Sequence, residues 1–459
     1  MVITVENTTQ VADIDEIEEQ IVELLKNRRY AAVGKILKEL EPPDVAVILQ
    51  KVPEEDLPLV FRILPKELAA ETFAELDGDL QELLIKSFSD RELHDVLEEM
   101  YVDDAVDMIE EMPANVVTRI LKNTDVNTRK TINALLQYPD DSAGSIMTVE
   151  YVYLMKDMTI AEAFDRIRKV GVDKETIYTC YVTNNRKLLG YVTVKDMLLA
   201  DMSAKIEDIM DDHVIFVDAY EDKEVVAETF RKYDLLALPV VDKEQRIVGI
   251  VTVDDAMDVL QEENTEDIEK MAAITPTDKP YLKTGVFETW FKRIPWLLLL
   301  MVSATFTSTI LGHFEEALAA QTALVMFIPM LMDTAGNAGS QASVTIIRGL
   351  SLNEIELGDI LKIIWKEIRV AFLCGVSLAV VSFGKVMLID GVSWHIALVI
   401  SITMIFTILF AKLVGCILPV FAKLIKFDPA VMASPFITTI VDALSLLIYF
   451  RVASMLLHL

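Results

Sequence analysis

Five stretches of membrane length, each dominated by apolar residues, lie between Ile294 and the C-terminus. They constrain the fold more than any other feature of the chain. A bilayer core is about 30 Å thick and takes about 20 helical residues to cross. The spans read as 294–312, 321–347, 367–388, 395–421 and 430–455. Lipid offers no hydrogen-bond partners, so each must satisfy its own backbone as a helix. Charge separates this part from the remainder. Residues 1–280 carry 61 acidic and 30 basic side chains, a net of −31, whereas residues 281–459 carry 11 and 12, a net of +1. An acidic, water-soluble half is therefore joined to a nearly neutral, apolar one. The acidic half has no basic tract for nucleic acid or anionic lipid, and its field attracts cations.

Basic residues set the expected orientation. Lys283, Lys292 and Arg293 precede the first span; Arg348, Lys362, Lys366 and Arg369 lie between the second and third; Lys423 and Lys426 lie between the fourth and fifth. The other two connections have none. This places the N-terminal half in the cytoplasm and the C-terminus outside, in the cell (inner) membrane. Lys385 and Arg451 are exceptions near outer ends, where long side chains snorkel, and Lys412 falls inside span four. The polar, acidic N-terminus does not read as a signal peptide. Cys180, Cys374 and Cys416 show no metal or disulfide spacing, and no hydrolase elbow, Walker loop or zinc signature is present, which argues against an enzyme.

Two spans carry polar residues that lipid cannot solvate. Asp442 lies near the middle of the last, and an ionised carboxylate there costs roughly 2.5–3.5 kcal/mol even on lenient insertion scales. Ser434, Thr438 and Asp442 recur at i, i+4, i+8, so one helix face is polar. Two readings are open for Asp442: a carboxylate lining an ion path, or a protonated group bonded to a neighbouring helix. Span two contains Pro329, Asp333, Gly336, Asn337, Gly339, Ser340 and Gln341. Close helix packing accounts for its glycines. It does not account for Asp333, Asn337 and Gln341 together, whereas a polar passage between spans two and five does.

In the acidic half, Gly190-Tyr-Val-Thr-Val-Lys-Asp196 returns as Gly249-Ile-Val-Thr-Val-Asp-Asp255, and Ile146-Met147 returns as Ile209-Met210. Each copy reads as short strands alternating with helices. Residues 1–135 read as short amphipathic helices punctuated by Pro or Asp at about a dozen residues, the pattern of a stacked superhelix. The expected architecture is a multi-domain membrane protein. It has an all-α superhelical N-domain over 1–135, an α/β tandem module over 136–257, a linker helix over 258–280 and an all-α transmembrane pore domain of five helices over 281–459.

Gly336-Asn337-Ala338-Gly339-Ser340-Gln341, Thr345-Ile346-Ile347-Arg348, Asp428-Pro429-Ala430 and Ser434-Pro435 before Asp442 resemble the MgtE family of magnesium channels, and the match extends over essentially the whole chain. The resemblance implies a homodimer in the lipid bilayer with a pore on the dimer axis. Asp442 is then the pore carboxylate, Thr438 supplies a backbone carbonyl one turn earlier, and Asn337, Gln341, Ser434 and Pro435 line the pore. Ser434 and Ser340 stand where some members carry Asn. Mg²⁺ is hard, octahedral and slow to dehydrate, and one carboxylate per subunit among carbonyls and hydroxyls suits a largely hydrated ion. The repeat resembles a tandem CBS module, which implies Tyr178, Thr193 and Asp196 as candidates for an adenine nucleotide, ATP. The family's regulatory metal positions fall on Glu71, Asp103, Asp107, Gly144, Asp222, Glu224, Asp234, Asp255, Asp258 and Glu266, and its connecting helix closes the cytoplasmic mouth. The expected function is a Mg²⁺-selective channel for uptake and homeostasis, gated shut by cytoplasmic Mg²⁺. A CBS-regulated Co²⁺/Mn²⁺ carrier or proton-coupled exchanger stays open, as does a sensor whose membrane half is only an anchor.

Overall fold

The computed structural model describes residues 14–277, 281–432 and 434–458. The chain forms two compact units, one ending at Leu260 and the other beginning at Gln261.

The first unit begins with short helices, from Ile14–Lys26 to Val126–Leu135. Their boundaries follow from local chemistry. Proline opens Pro42–Leu49, Pro65 and Pro113 precede Lys66–Ala74 and Ala114–Asn123, and Ser89 closes a capping box with Glu92. Alternate helices pack together: Pro42–Leu49 on Lys66–Ala74, Lys66–Ala74 on Asp90–Glu99, and Val102–Glu111 on Val126–Leu135. This is the superhelix expected from the punctuation. Phe61, Phe73 and Phe88 cluster at its centre with ring centroids 5.4–6.2 Å apart.

Two three-stranded sheets follow with the same topology. In the first, β1 (Tyr151–Met155) runs parallel to β2 (Thr176–Asn184), which pairs antiparallel with β3 (Lys187–Thr193). In the second, β4 (Val217–Asp218), β5 (Ala237–Val241) and β6 (Ile247–Thr252) repeat that order. The helices Ile160–Val170 and Lys223–Tyr233 make the parallel crossovers. Both faces of β5 are buried, which explains its unbroken Ala-Leu-Pro-Val-Val run. The helix Val253–Met271 then continues into the second unit, starting earlier than the 258 expected for the linker.

The second unit holds five long helices: Val286–His313, Ile328–Ser351, Ile360–Leu388, Trp394–Leu424 and Ser434–Leu457. Among the described residues four segments are long and apolar enough to cross a membrane; Ile328–Ser351 falls outside that set because of its polar residues. It also starts later than the 321 expected, since Thr322–Phe327 is a 3-10 turn. The second, fourth and fifth helices pack on one another, and the third packs on the fourth. Glycine makes the central crossing possible: a Cβ at Gly415 would stand 2.2 Å from the carbonyl oxygen of Gly339. Lys412, out of place in the sequence, is buried beside Glu367 with Nζ 3.4 Å from Oε2. Lys385 pairs with Asp390 at 2.9 Å rather than standing alone.

Candidate metal centre

Carboxylates gather where the superhelix packs on the tandem module. Asp103 and Asp104 open the helix Val102–Glu111, where the helix N-terminus favours negative charge. Asp254 and Asp255 open Val253–Met271, Glu150 precedes β1 and Glu175 precedes β2. Glu150 Oε2 accepts from the Val102 amide at 3.2 Å and from Thr148 Oγ1 at 3.3 Å. Asp255 Oδ2 accepts from Thr252 Oγ1 at 2.5 Å.

For the group as a whole burial outweighs such bonds. Burial, then the Glu150 charge, raises Asp103 to about 6. Burial, then Asp103, Asp107 and Asp255, raises Asp104 to about 8. Burial raises Asp255 to about 7 against the Thr252 bond, and burial with Asp103 and Asp254 raises Glu175 to about 8. Glu75 and Asp258 are raised by burial and by neighbouring acids. Two buried oxygens, Asp103 Oδ1 and Glu175 Oε2, have no hydrogen-bond partner. Hard carboxylate oxygens gathered out of water, two of them without a hydrogen-bond partner, suit a hydrated divalent cation.

Of the sequence candidates, Asp103, Asp107, Asp255 and Asp258 come together here, and Glu71 lies at the rim, sharing the neighbour Tyr101 with Glu175, Glu150 and Asp103. Gly144 and Asp222 sit together elsewhere. The Gly144 amide donates to Ala219 O at 2.9 Å, Ser142 bridges Asp222, and Asp222 caps Lys223–Tyr233 through the Glu224 amide. A Cβ on Gly144 would stand 2.4 Å from Tyr138, so packing alone already demands glycine. Asp234 is the left-handed C-cap of the same helix, at φ 51°. Glu266, in the second unit, is paired with Lys270, which also reaches Asp428 at 2.7 Å. Asp104, Glu75, Glu150 and Glu175 were not anticipated.

In the membrane unit, Asp442 is half-buried and has Asp333 as its charged neighbour. Thr438 Oγ1 and Thr439 Oγ1 donate to Pro435 O at 2.9 and 3.0 Å. A Cβ on Gly336 would stand 3.2 Å from the Thr438 methyl, so the second helix approaches the fifth one turn before Asp442. Asp333, Asn337, Gln341, Thr345 and Arg348 form one exposed stripe along the second helix. At the C-terminal end of the second helix, Met271 packs against Ile347 and Ala430, and Lys423 Nζ donates to Leu350 O at 2.9 Å. Ser434 begins the fifth helix.

Three family models match the chain: a divalent cation transporter domain over residues 328–452, an MgtE intracellular N domain over 40–141, and CBS domains over 143–203 and 206–262. The magnesium transporter MgtE of Thermus thermophilus is 36% identical over 95% of this chain and 97% of its own. That of Bacillus subtilis is 32% identical over 97% and 98%. The chain belongs to the MgtE family. This is a family of transporters rather than enzymes. The crystal structure of the cytosolic domain of the Mg²⁺ channel MgtE in complex with ATP is 34% identical, covers 53% of this chain and 99% of that one, and superposes with a TM-score of 0.51.

In this MgtE protein a cavity of about 260 Å³ opens between the two CBS copies, lined by Thr179, Tyr181, Tyr191, Thr193, His213 and Asp234 among others. Strand register explains the first four. Thr179 pairs with Thr193 and Tyr181 with Tyr191, so all four project from one face, while Cys180, Val182 and Val192 enter the core behind. Thr193 caps the helix Val194–Leu199, and its hydroxyl donates to Asp196 Oδ2 at 2.5 Å. Tyr181 is 1% exposed and its buried hydroxyl has no partner. Tyr178, the sequence candidate, is 67% exposed and does not line the cavity.

Proposed function

We propose that this chain is a homodimeric Mg²⁺-selective channel that cytoplasmic Mg²⁺ closes. Asp442 carries the reading, together with the exposed Asp333, Asn337 and Gln341 stripe on a helix otherwise built for lipid. Such a surface requires water or a second copy of the chain against it. Two Asp442 carboxylates related by a dimer axis would hold a hexahydrated ion through its waters, with the Thr438 carbonyls as second acceptors. Inside a helix each carbonyl already accepts one amide but keeps a lone pair. Glycine and alanine on the second and fourth helices bring the backbones close enough to shape that passage.

Closure follows from the buried acids. With no cation present, Asp103, Asp104, Asp255 and Glu175 repel across the packing of the superhelix on the CBS module. A divalent ion bound among them stabilises the compact arrangement by its differential affinity for it. The linker helix, salt-bridged through Lys270 to Asp428 and packed by Met271 on Ile347, transmits that state to the inner mouth. The N-terminal half lies in the cytoplasm. ATP occupies the cavity beside Thr193 and Asp196, where a buried tyrosine hydroxyl and a capping carboxylate offer donor and acceptor to a nucleoside.

The test is Mg²⁺ flux into proteoliposomes. Asp442→Ala abolishes it while the protein keeps its wild-type elution volume. Flux that tracks an imposed pH gradient and vanishes without one would instead favour proton-coupled exchange. Flux unchanged by Asp442→Ala would return that residue to a structural role.

A further inference from the structure

A larger cavity of the cytoplasmic unit, about 1040 Å³, takes no part in the reading above. Lys156, Lys174, Arg186 and Arg246 line it, and Asp157 and Asp242 are the acids among its lining residues. Asp242 is already engaged: its Oδ1 accepts from the amides of Glu244 at 2.9 Å and Arg246 at 2.8 Å, closing the β5–β6 turn. Among the described residues none of the four cations forms an ion pair, although this unit carries a large excess of acid. Cations left unpaired in such a protein face outward to something other than their neighbours.

The backbone gathers the positive charge deliberately. Asn185 and Arg186 are the two central residues of the β2–β3 hairpin, at φ 49° and 68°. A two-residue turn with both angles positive favours Asn-Gly, yet the second place holds arginine. Lys187 then bridges Arg246 directly, with the Ile247 amide donating to Arg186 O at 3.0 Å and the Leu188 amide to Gln245 O at 3.0 Å. Like charges set opposite each other across a strand pair are destabilising. The hairpins of both CBS copies thus bring Arg186, Lys187 and Arg246 to one spot at a cost that an anion would remove.

We infer that this cleft binds a phosphate-bearing small molecule of nucleotide size, at a site separate from the cavity beside Thr193. Arg186 and Arg246 supply planar donors for paired phosphate oxygens, and Lys156 and Lys174 add point charges. Asn184, Asn185, Thr131 and Thr183 provide neutral donors and acceptors, and Tyr151 an aromatic wall. The volume lies just above the ~300–1000 Å³ typical of small-molecule sites, more than phosphate alone needs. Thr131 and Leu135 come from the last superhelical helix, so an occupant touches both the N-domain and the CBS module.

The experiment is calorimetric titration of the full-length protein in detergent micelles, in EDTA-containing buffer, with inorganic pyrophosphate and with ADP. Arg186→Ser/Arg246→Ser weakens binding at this site at least tenfold, and Asp196→Ala leaves it unchanged. Pyrophosphate binding of this kind shows that the phosphate chain suffices; binding of ADP alone shows that the nucleoside is also read. Lys156→Glu, in the exposed turn after β1, gives the same loss should the double variant melt early. The inference is overturned if neither ligand binds wild type at millimolar concentration. It is equally overturned if binding is indifferent to the arginines and lost only in Asp196→Ala.

Discussion

The two CBS copies end in the same four-residue device and are surrounded by opposite chemistry. In the first, Thr193 bonds Asp196 at the mouth of a mostly uncharged cavity walled by Thr179, Tyr181 and Tyr191. In the second, Thr252 bonds Asp255 at the same 2.5 Å, but Asp255 is raised to about 7 by burial and by Asp103. The local geometry is the same in both. What differs is the N-domain, which brings Asp103 and Asp104 against the second copy. On the proposed reading, one copy offers its carboxylate to the ribose hydroxyls of ATP, and the other offers it to a cation.

The largest expected separation comes from removing each carboxylate in turn. Asp103→Asn with Asp255→Asn raises the Mg²⁺ concentration that protects the first unit from proteolysis by at least tenfold, and leaves ATP affinity within twofold. Asp196→Ala does the reverse, weakening ATP at least tenfold by calorimetry with the Mg²⁺ response intact. If either variant loses both responses, the copies are one coupled site and the contrast fails.

Acidity sharpens the same contrast. Asp103, Asp104, Asp255 and Glu175 are all raised on folding, so the compact state binds more protons than the open one. Their favourable contribution is complete below the ordinary carboxylate range near pH 4 and is lost as pH rises through 6 to 8. Without divalent cations the melting temperature of the first unit falls across that window, and saturating Mg²⁺ restores most of the loss at pH 8 but little at pH 5. A flat profile would contradict the buried-acid account. The smallest effect is at Gly144, where alanine must displace Tyr138 and costs about 1–3 kcal/mol of stability by denaturant titration, as overpacking does. Loss of Mg²⁺ response without loss of stability would make Gly144 a ligand position rather than a packing one.

Hydropathy made the membrane half legible, because lipid imposes one rule on every residue of a span. Ile328–Ser351 stood out for the same reason: Asp333, Asn337 and Gln341 are tolerable there only against water or protein. The Thr-x-x-Asp repeat was legible because its chemistry closes within four residues. The acid cluster was only half legible. Asp103 and Asp255 lie about 150 residues apart in sequence, and nothing near Glu150 or Glu175 marks a charge that packing will bury. Tyr178 shows how fine the limit is. Thr179 and Tyr181 face the cavity, and a shift of one residue along a strand exchanges its two faces. Lys412 looked anomalous until its partner Glu367, one helix away, was in view.

The most direct test is Mg²⁺ flux through reconstituted protein as a function of Mg²⁺ on the cytoplasmic face, comparing wild type with Asp103→Asn/Asp255→Asn. The account predicts that wild type closes as Mg²⁺ rises and that the double variant keeps conducting at concentrations at least tenfold higher. Identical closure in the two proteins would contradict it, and would place the gate elsewhere than in the buried carboxylates.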